Sequence, residues 1–300
     1  MNRRDNRASC APRPMLSPAR MGQAIFIMFI AMSMIPSGDT AGKLLTMEHG
    51  ASPLFVAWSR FVIGTALALP FLRPDTLRLL RDWRIWLRAL LLTGGITSIQ
   101  TALQTVPVAD VFAAFFVGPL LSYALSALLL REAITPTRTA LIALGFVGVL
   151  LVVRPGFAPD PGIGFALLAG CFYGAFLTAS RWLSAVGRPT SLFFTQLFLS
   201  ALFLTPFAYA SLPPITPTVA ALTTASAAFS ALGNLLLLYA YARAPASQLA
   251  PLVYFQLIAA TALGWAVFSD LPDAWTLAGL SLIIASGLAS ALLATRAPRT

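Results

Sequence analysis

Ten long apolar runs, separated by charges, prolines and glycines, dominate this chain and leave few ways for it to fold. About 20 apolar residues are enough for a helix to span a bilayer. Hydrophobic residues make up 58% of the 300 and charged residues only 10%, too few to cover a soluble surface. The sequence therefore predicts an all-α polytopic membrane protein with ten transmembrane helices. The predicted spans are 21–41, 53–72, 86–105, 108–129, 137–153, 162–183, 190–210, 216–241, 246–268 and 274–294.

The basic residues are distributed unevenly between the loops, and this predicts the orientation of the chain. Seventeen of the 20 lysines and arginines fall in the tail before span one, in alternate loops after it, or in the tail after span ten. Loops rich in arginine stay in the cytoplasm. We therefore expect both termini to be cytoplasmic, which agrees with an even number of spans. Scattered arginines of this kind indicate topology and give no phosphate-binding face for nucleic acid.

The second half of the chain repeats the spacing of prolines, glycines and one acidic residue found in the first half. Prolines, glycines, one Pro-Phe step and one acidic residue recur 136 to 138 positions later, at the same place in each span. The pairs are Pro53 with Pro189, Pro70-Phe71 with Pro206-Phe207, Gly95 with Gly233, Pro107 with Pro245 and Glu132 with Asp270. We predict a tail over 1–20, five-helix repeats over 21–157 and 158–295, and a tail over 296–300.

Five spans in each repeat mean that the two copies cross the membrane in opposite directions. Inverted repeats place a binding site near the midplane between the halves, and their two arrangements give alternating access. The repeat is thus itself an indication of function.

Two segments carry a resemblance to a known family. The first segment has a small-residue turn (Val106–Asp110), an apolar helix that contains Pro119, an acidic residue at its end (Glu132) and a short helix that contains Gly148. The second segment follows the same order with Ala244–Gln248, Pro251, Asp270 and Gly287. It departs from the first in its earlier proline and in having an aspartate as the acidic residue. This pattern resembles the repeat unit of the EamA branch of the drug/metabolite transporter superfamily, and most of all the bacterial aromatic amino-acid exporters. The resemblance implies ten helices, cytoplasmic termini and transport of a small metabolite across the bacterial inner membrane.

Ionisable side chains inside a bilayer are costly and mark functional sites. We expect none of the ten acidic residues at a midplane, with Asp39 and Asp110 at outer helix ends and His49 in the first outer loop. An ion-driven carrier usually keeps such a group where both sides can reach it. The sequence therefore favours a carrier without a dedicated coupling carboxylate, although Asp39 and His49 leave proton coupling open.

Arg60 is the most informative cation, about 10 Å below the start of span two at 1.5 Å per residue. Its guanidinium could face the cavity and bind a substrate carboxylate, or it could be tied to Asp39 or to a helix-end carbonyl. Asp39 and Lys43 have the i, i+4 spacing of a helical ion pair, and we predict that they form the outer gate.

Polar and aromatic side chains within the spans are candidates for lining the cavity. Amides are costly in lipid and aromatic rings stack on planar substrates, although helix packing could explain each of them equally well. The predicted substrate-binding residues are Trp58, Arg60, Gln100, Phe115, Tyr173, Gln196, Asn234, Tyr239, Tyr254 and Gln256.

The alternatives differ in the residues that they need. An intramembrane enzyme needs paired carboxylates, a nucleophile with a base, or metal ligands, and a lone Cys171 with His49 in a loop supplies none of these. A nucleotide-sugar or other anionic-metabolite carrier would need several cations in the cavity. We therefore expect an exporter of small amphipathic metabolites, namely aromatic or neutral amino acids. Its partners are this small molecule and the lipid bilayer, with no cofactor, metal or nucleic acid.

Overall fold

The structure of the protein is a computed structural model that describes residues 18–131, 136–153, 160–183, 185–243 and 249–296. These residues form helices and no strand. Most of the predicted basic tail lies outside them, as do Glu132 and the residues after Arg296. The helices are α1 (Pro18–Glu48), α2 (Pro53–Ala68), α3 (Pro74–Leu79), α4 (Trp83–Ala102), α5 (Val108–Phe115), α6 (Val117–Leu129), α7 (Pro136–Val153), α8 (Pro161–Trp182), α9 (Pro189–Tyr209), α10 (Pro217–Arg243), α11 (Phe255–Phe268) and α12 (Ala274–Arg296). Short 3₁₀ turns occupy Leu69–Phe71 and Ala250–Tyr254.

Local sequence signals explain where several helices begin. Proline stands in the first turn of α2, α8 and α9, where its missing N–H costs nothing. Ser52 and Asp160 cap α2 and α8 by accepting the N–H groups of Leu54 and Gly162. Asp82 caps α4 in the same way, and its hydrogen bonds with Arg84 lower the pKa of this carboxyl below its ordinary value.

Helices occupy every predicted span, which confirms an all-helical membrane protein. Five helices among the described residues are long and apolar enough to cross a bilayer, and four further apolar helices are shorter. The five are Gly22–Glu48, Val108–Leu129, Pro161–Trp182, Pro189–Tyr209 and Pro217–Ala240. The count of ten crossings and the cytoplasmic termini stay predictions.

Two spans differ from the sequence prediction in ways that matter for the site. Helix α1 continues to Glu48 rather than ending near residue 41, so Asp39 lies inside the helix instead of at its end. Span four is interrupted at Phe116, between α5 and α6. Pro119 explains this interruption, because it has no N–H to donate to the carbonyl of Phe115 one turn earlier.

The helix contacts follow the repeat. Helix α1 packs on α10 and α11, and its counterpart α8 packs on α4 and on α5 and α6. Helix α2 contacts α10, as its counterpart α9 contacts α4. Three further pairs, α2 with α9, α5 with α11 and α7 with α12, join counterparts directly. Exchanging the two halves therefore reproduces each of these contacts, as expected from the repeat that the sequence predicts.

Small residues allow the closest helix approaches. A Cβ atom added at Gly174 of α8 would lie 2.5 Å from the carbonyl oxygen of Gly118, and one at Gly118 would lie 2.7 Å from that of Gly170. Backbone atoms at these positions cannot yield without moving a helix.

We expect Gly174→Ala and Gly164→Ala, two changes in the same helix, to have opposite effects. The first forces α6 and α8 apart and lowers the free energy of unfolding by about 1–3 kcal/mol. At Gly164 an added Cβ meets nothing within 4 Å, so the change removes only the helix penalty of glycine and raises stability by up to about 1 kcal/mol. Unfolding of both variants by SDS titration in detergent micelles measures the difference, and equal effects would contradict the close approach.

Candidate substrate site and outer gate

A buried ion pair joins the first two helices. Arg60 Nη1 of α2 lies 2.5 Å from Asp39 Oδ1 of α1, and the two residues are only 5% and 4% exposed. Arg60 Nη2 donates to the carbonyl of Gly38, and Nε donates to Ser226 Oγ of α10 at 2.8 Å. All three nitrogens of the guanidinium thus have partners. The tie between Arg60 and Asp39, which the sequence left open, is present, and substrate binding by Arg60 stays a prediction.

The same carboxylate lies deeper than the sequence predicts. Helix α1 runs nine residues past Asp39, so at 1.5 Å per residue Asp39 is about 13 Å below the end of the helix. Gln100 of α4 is fully buried and donates to Asp39 Oδ1 at 2.9 Å, while its own Oε1 has no partner. Asp39, Arg60, Gln100 and Ser226 therefore form one polar cluster, which we call the Arg60 cluster, and it bridges both halves of the chain.

Lys43 has other partners than the predicted one. Its ammonium donates to the carbonyl of Val106 at 2.9 Å, lies 3.6 Å from Asp270 and sits 4.7 Å from the ring centroid of Phe268. The predicted i, i+4 pair of Asp39 with Lys43 does not form, because Arg60 occupies Asp39 and Asp270 attracts Lys43. Lys43 thus links α1 directly to the second half, whereas Asp39 is linked to it through Arg60, which donates to Ser226. This arrangement suits the outer gate that remains predicted for both residues.

Aromatic rings meet at the interruptions of the two halves. Phe116 stands at the break between α5 and α6, and Tyr254 ends the 3₁₀ turn before α11, 138 positions later. Both have helical φ with ψ near zero, −67° and 0° for Phe116 and −68° and −15° for Tyr254. Their ring centroids are 5.3 Å apart. Equivalent residues of the two halves therefore contact each other at the point where the helix of each half is interrupted.

A second group of rings extends from this contact. Phe115, next to Phe116, has its ring 4.8 Å from that of Tyr173 in α8, and Tyr173 stacks on Phe176 at 5.9 Å. The structure thus brings together the predicted residues Phe115 and Tyr173 and places Tyr254 against the neighbour of Phe115. Interrupted helices between two repeats are where transporters of this architecture bind their substrates.

Arg88 lies inside a helix, although it was counted above among the seventeen cations of the tails and loops. It lies in α4, is 7% exposed, and donates to Ser180 Oγ at 2.8 Å and to the carbonyl of Leu192 at 3.0 Å. Its guanidinium sits 4.7 Å above the ring of Phe176. These partners of Arg88 among the described residues are all neutral. The sequence signal that was missed is Asp82, a residue type that favours the cap position of a helix. A helix that begins after Asp82 contains Arg88 more than one turn from its start.

Arg88 also has a place in the repeat. It lies 138 positions before Ser226, the residue of α10 that receives Arg60 Nε. Both arginines belong to the first half, but their guanidinium groups are buried at equivalent meetings of three helices: α1, α2 and α10 around Arg60, and α8, α9 and α4 around Arg88.

The other predicted residues have different surroundings. Trp58 Nε1 donates to Thr205 Oγ1 of α9 at 3.0 Å, and Asn234 donates to the carbonyl of Ser230 in its own helix. Gln196 is buried with an unpartnered Oε1. Gln256 is half-buried, and Tyr239 is 48% exposed.

Metal chemistry finds no support in the part of the chain that the structure describes, where no group of three or more His, Cys, Asp or Glu residues could hold an ion.

Comparison with known proteins identifies the family. The profile of the EamA-like transporter family matches residues 22–154 and again residues 160–291. The chain belongs to the EamA-like transporter family. It is therefore a multi-pass membrane transporter rather than an enzyme, and the resemblance seen in the sequence is confirmed.

Curated relatives of this EamA-like chain are transporters by name. A riboflavin transporter of Brucella anthropi is 28% identical over 87% of this chain and 95% of its own length. An S-adenosylmethionine uptake transporter of Rickettsia bellii is 28% identical over 78% and 81%, and a pseudopaline exporter of Pseudomonas aeruginosa 26% identical over 78% and 84%. These names support small-molecule transport, and the likeness to aromatic amino-acid exporters stays a prediction.

A solved crystal structure shows the same fold. It aligns with a TM-score of 0.61 and 21% identity, over 93% of this chain and 99% of that one.

Proposed function

We propose that the protein is a carrier of a small metabolite with a planar ring, which binds between the two halves beside Phe116 and Tyr254. The contact between these equivalent rings, at the interruptions of both halves, is the observation that carries the proposal. Aromatic faces stack on planar ligands, and Phe115, Tyr173 and Phe176 extend the aromatic surface.

The charges around the candidate site favour a neutral or cationic substrate. Asp39 neutralises Arg60, and Asp270 lies beside Lys43, so neither cation is free for a substrate anion in this conformation. Riboflavin and S-adenosylmethionine, the compounds named for two relatives, fit a planar-ring requirement. A nucleotide-sugar-like substrate, which would carry several negative charges, is disfavoured by the same argument.

Alternating access is supported by the repeat and by contacts that cross between the halves. The Arg60 cluster and Lys43 both join α1 to the second half, so opening the outer gate would separate α1 from Ser226 and Asp270. Asp39 lies within the bundle, but its charge is already paired. We therefore keep the proposal of transport down a substrate gradient without a dedicated coupling carboxylate, in a bacterial inner membrane with both termini cytoplasmic.

Export of aromatic or neutral amino acids is the second candidate, and Arg88 favours it. This buried guanidinium donates to the neutral groups of Ser180 and Leu192 and could pair with one substrate carboxylate. A zwitterion with an aromatic side chain would then place its ring against Phe176 or Tyr173.

Transport by the purified protein in liposomes separates the two candidates. We expect saturable efflux of riboflavin or S-adenosylmethionine from loaded liposomes, down the substrate gradient and without an ion gradient. Preferential efflux of tryptophan and phenylalanine, competed by other amino acids, would favour the second candidate instead. Protein-free liposomes are the control. Transport that appears only under an imposed proton gradient would contradict the facilitator mechanism and indicate coupling.

A further inference from the structure

Three arginines surround an open pocket at the loops that join α2 to α4 and α8 to α9. Arg73, Pro74, Arg78 and Arg188 line this pocket, which has a volume of ≈ 440 Å³. Arg73 and Arg78 come from the first loop and Arg188 from the second. Among the side chains that the structure describes, the lining therefore carries three positive charges from two distant parts of the sequence and no negative one.

The two loops are held together by buried contacts, so the arrangement of the arginines does not depend on the arginines themselves. Thr76 of α3 is fully buried, and its Oγ1 donates to Ser191 Oγ of α9 at 3.0 Å. The side chain of Leu79 also packs so near Gly187 that a Cβ there would lie 2.9 Å from it. This packing fixes α3 against the start of α9.

The three arginine side chains are exposed and make no ion pair or hydrogen bond with a described residue. Like charges around one pocket repel each other, and nothing among its lining residues offsets them. Guanidinium groups present a planar fork of donors that matches the oxygen atoms of a phosphate.

The pocket also lies at the level of aromatic anchors typical of the membrane interface. Trp86 Nε1 donates to the carbonyl of Leu80, just after α3, and the exposed rings of Trp83 and Trp182 meet edge to face at 6.1 Å. Tryptophan is enriched where the lipid head groups begin. Basic pockets between transmembrane helices at the cytoplasmic side bind anionic head groups.

We propose that the pocket of Arg73, Arg78 and Arg188 binds a phosphate group, independently of the substrate site. The group comes from the head group of an anionic phospholipid or from a soluble phosphate, and both sources have the same chemistry at the arginines. Two guanidinium groups from one loop and one from the other would clamp it.

Native mass spectrometry of the purified full-length protein, titrated with phosphatidylglycerol or with phosphatidylcholine, tests the lipid source. We expect the double variant Arg73→Gln/Arg188→Gln to bind phosphatidylglycerol about tenfold more weakly than the unmodified protein. The control Arg81→Gln/Arg131→Gln removes two exposed arginines that do not line the pocket, and it should bind as the unmodified protein does.

Inorganic phosphate tests the soluble source through the melting temperature in detergent. A rise in melting temperature with phosphate, lost in the pocket variant and kept in the control, shows that phosphate alone suffices. A loss of phosphatidylglycerol binding without any phosphate effect assigns the site to the lipid. Equal weakening in both double variants, or no weakening in the pocket variant together with no pocket-dependent phosphate effect, would overturn the proposal. The single variant Arg78→Gln is used if the double variant does not fold.

Discussion

Arg60→Gln and Asp39→Asn should each lower the free energy of unfolding by about 3–5 kcal/mol, because either change leaves a buried charge without its partner. After Arg60→Gln, only the amide of Gln100 still donates to the carboxylate of Asp39 among the hydrogen bonds described above. After Asp39→Asn, the guanidinium keeps the carbonyl of Gly38 and Ser226 Oγ. We expect the double variant Asp39→Asn/Arg60→Gln to lose clearly less stability than the sum of the single variants. SDS titration in micelles, analysed as a double-mutant cycle, measures this coupling.

The pair of Asp82 and Arg84 is a matched control within the same protein. Arg84 Nη2 lies only 2.6 Å from Asp82 Oδ2, but the side chain of Arg84 is 33% exposed and that of Asp82 is 20% exposed. Solvent screens such a pair, so we expect Asp82→Asn and Arg84→Gln to change stability little. Additive losses in the Asp39 and Arg60 cycle, or losses no larger than in the control, would mean that the buried pair does not hold α1 and α2 together. Arg60 would then again be free to bind substrate.

The positions of the helices could be predicted because each depends on nearby sequence. Apolar runs between prolines and charges gave all the helical spans, and Pro53, Pro161 and Pro189 begin the helices that follow them. The repeat could also be found from the sequence alone, since prolines and glycines recur at a nearly constant spacing between the two halves.

The polar cluster could not be predicted, because its partners are far apart in sequence. Gly38, Asp39 and Thr40 resemble the end of a span, and only the contacts with Arg60 and Ser226 make a charge acceptable inside α1. These partners lie 21 and 188 positions away from the residues of α1 that they contact. Arg88 was misplaced for the same reason, since Ser180 and Leu192, which satisfy it, belong to the other half. Tertiary contacts therefore decide which ionisable residues are buried.

The contact of Phe116 with Tyr254 was equally hidden from the sequence. Tyr254 was a candidate on composition alone, and no expectation paired it with Phe116. Pro119 indicated a disturbance in span four, but not that the disturbance would lie at Phe116 or that its counterpart would face it. Only the packing of α5 on α11 brings the two interruptions together.

Tyr254→Ala and Phe116→Ala should each lower the rate of transport by about tenfold or more, the second large effect that we expect. The rings meet between the halves, where the substrate is proposed to bind, and removing one takes away a stacking surface worth about 0.5–1.5 kcal/mol beyond the area that it buries. Efflux of the substrate identified in liposomes measures the rate, normalised to the amount of folded protein. We expect the change to affect transport more than stability in the tyrosine variant, whose ring is only partly buried.

Two controls separate loss of the ring from other effects of these changes. Tyr254→Phe keeps the ring, and the Tyr254 hydroxyl makes no hydrogen bond with a described residue, so this variant should transport at nearly the rate of the unmodified protein. Phe229→Ala removes an aromatic ring of α10 that is 40% exposed, and it should transport normally. If Tyr254→Ala transports as fast as Tyr254→Phe, the aromatic contact is only packing between the halves. The substrate would then have to bind elsewhere, and Arg88 with its neutral partners would become the first place to look.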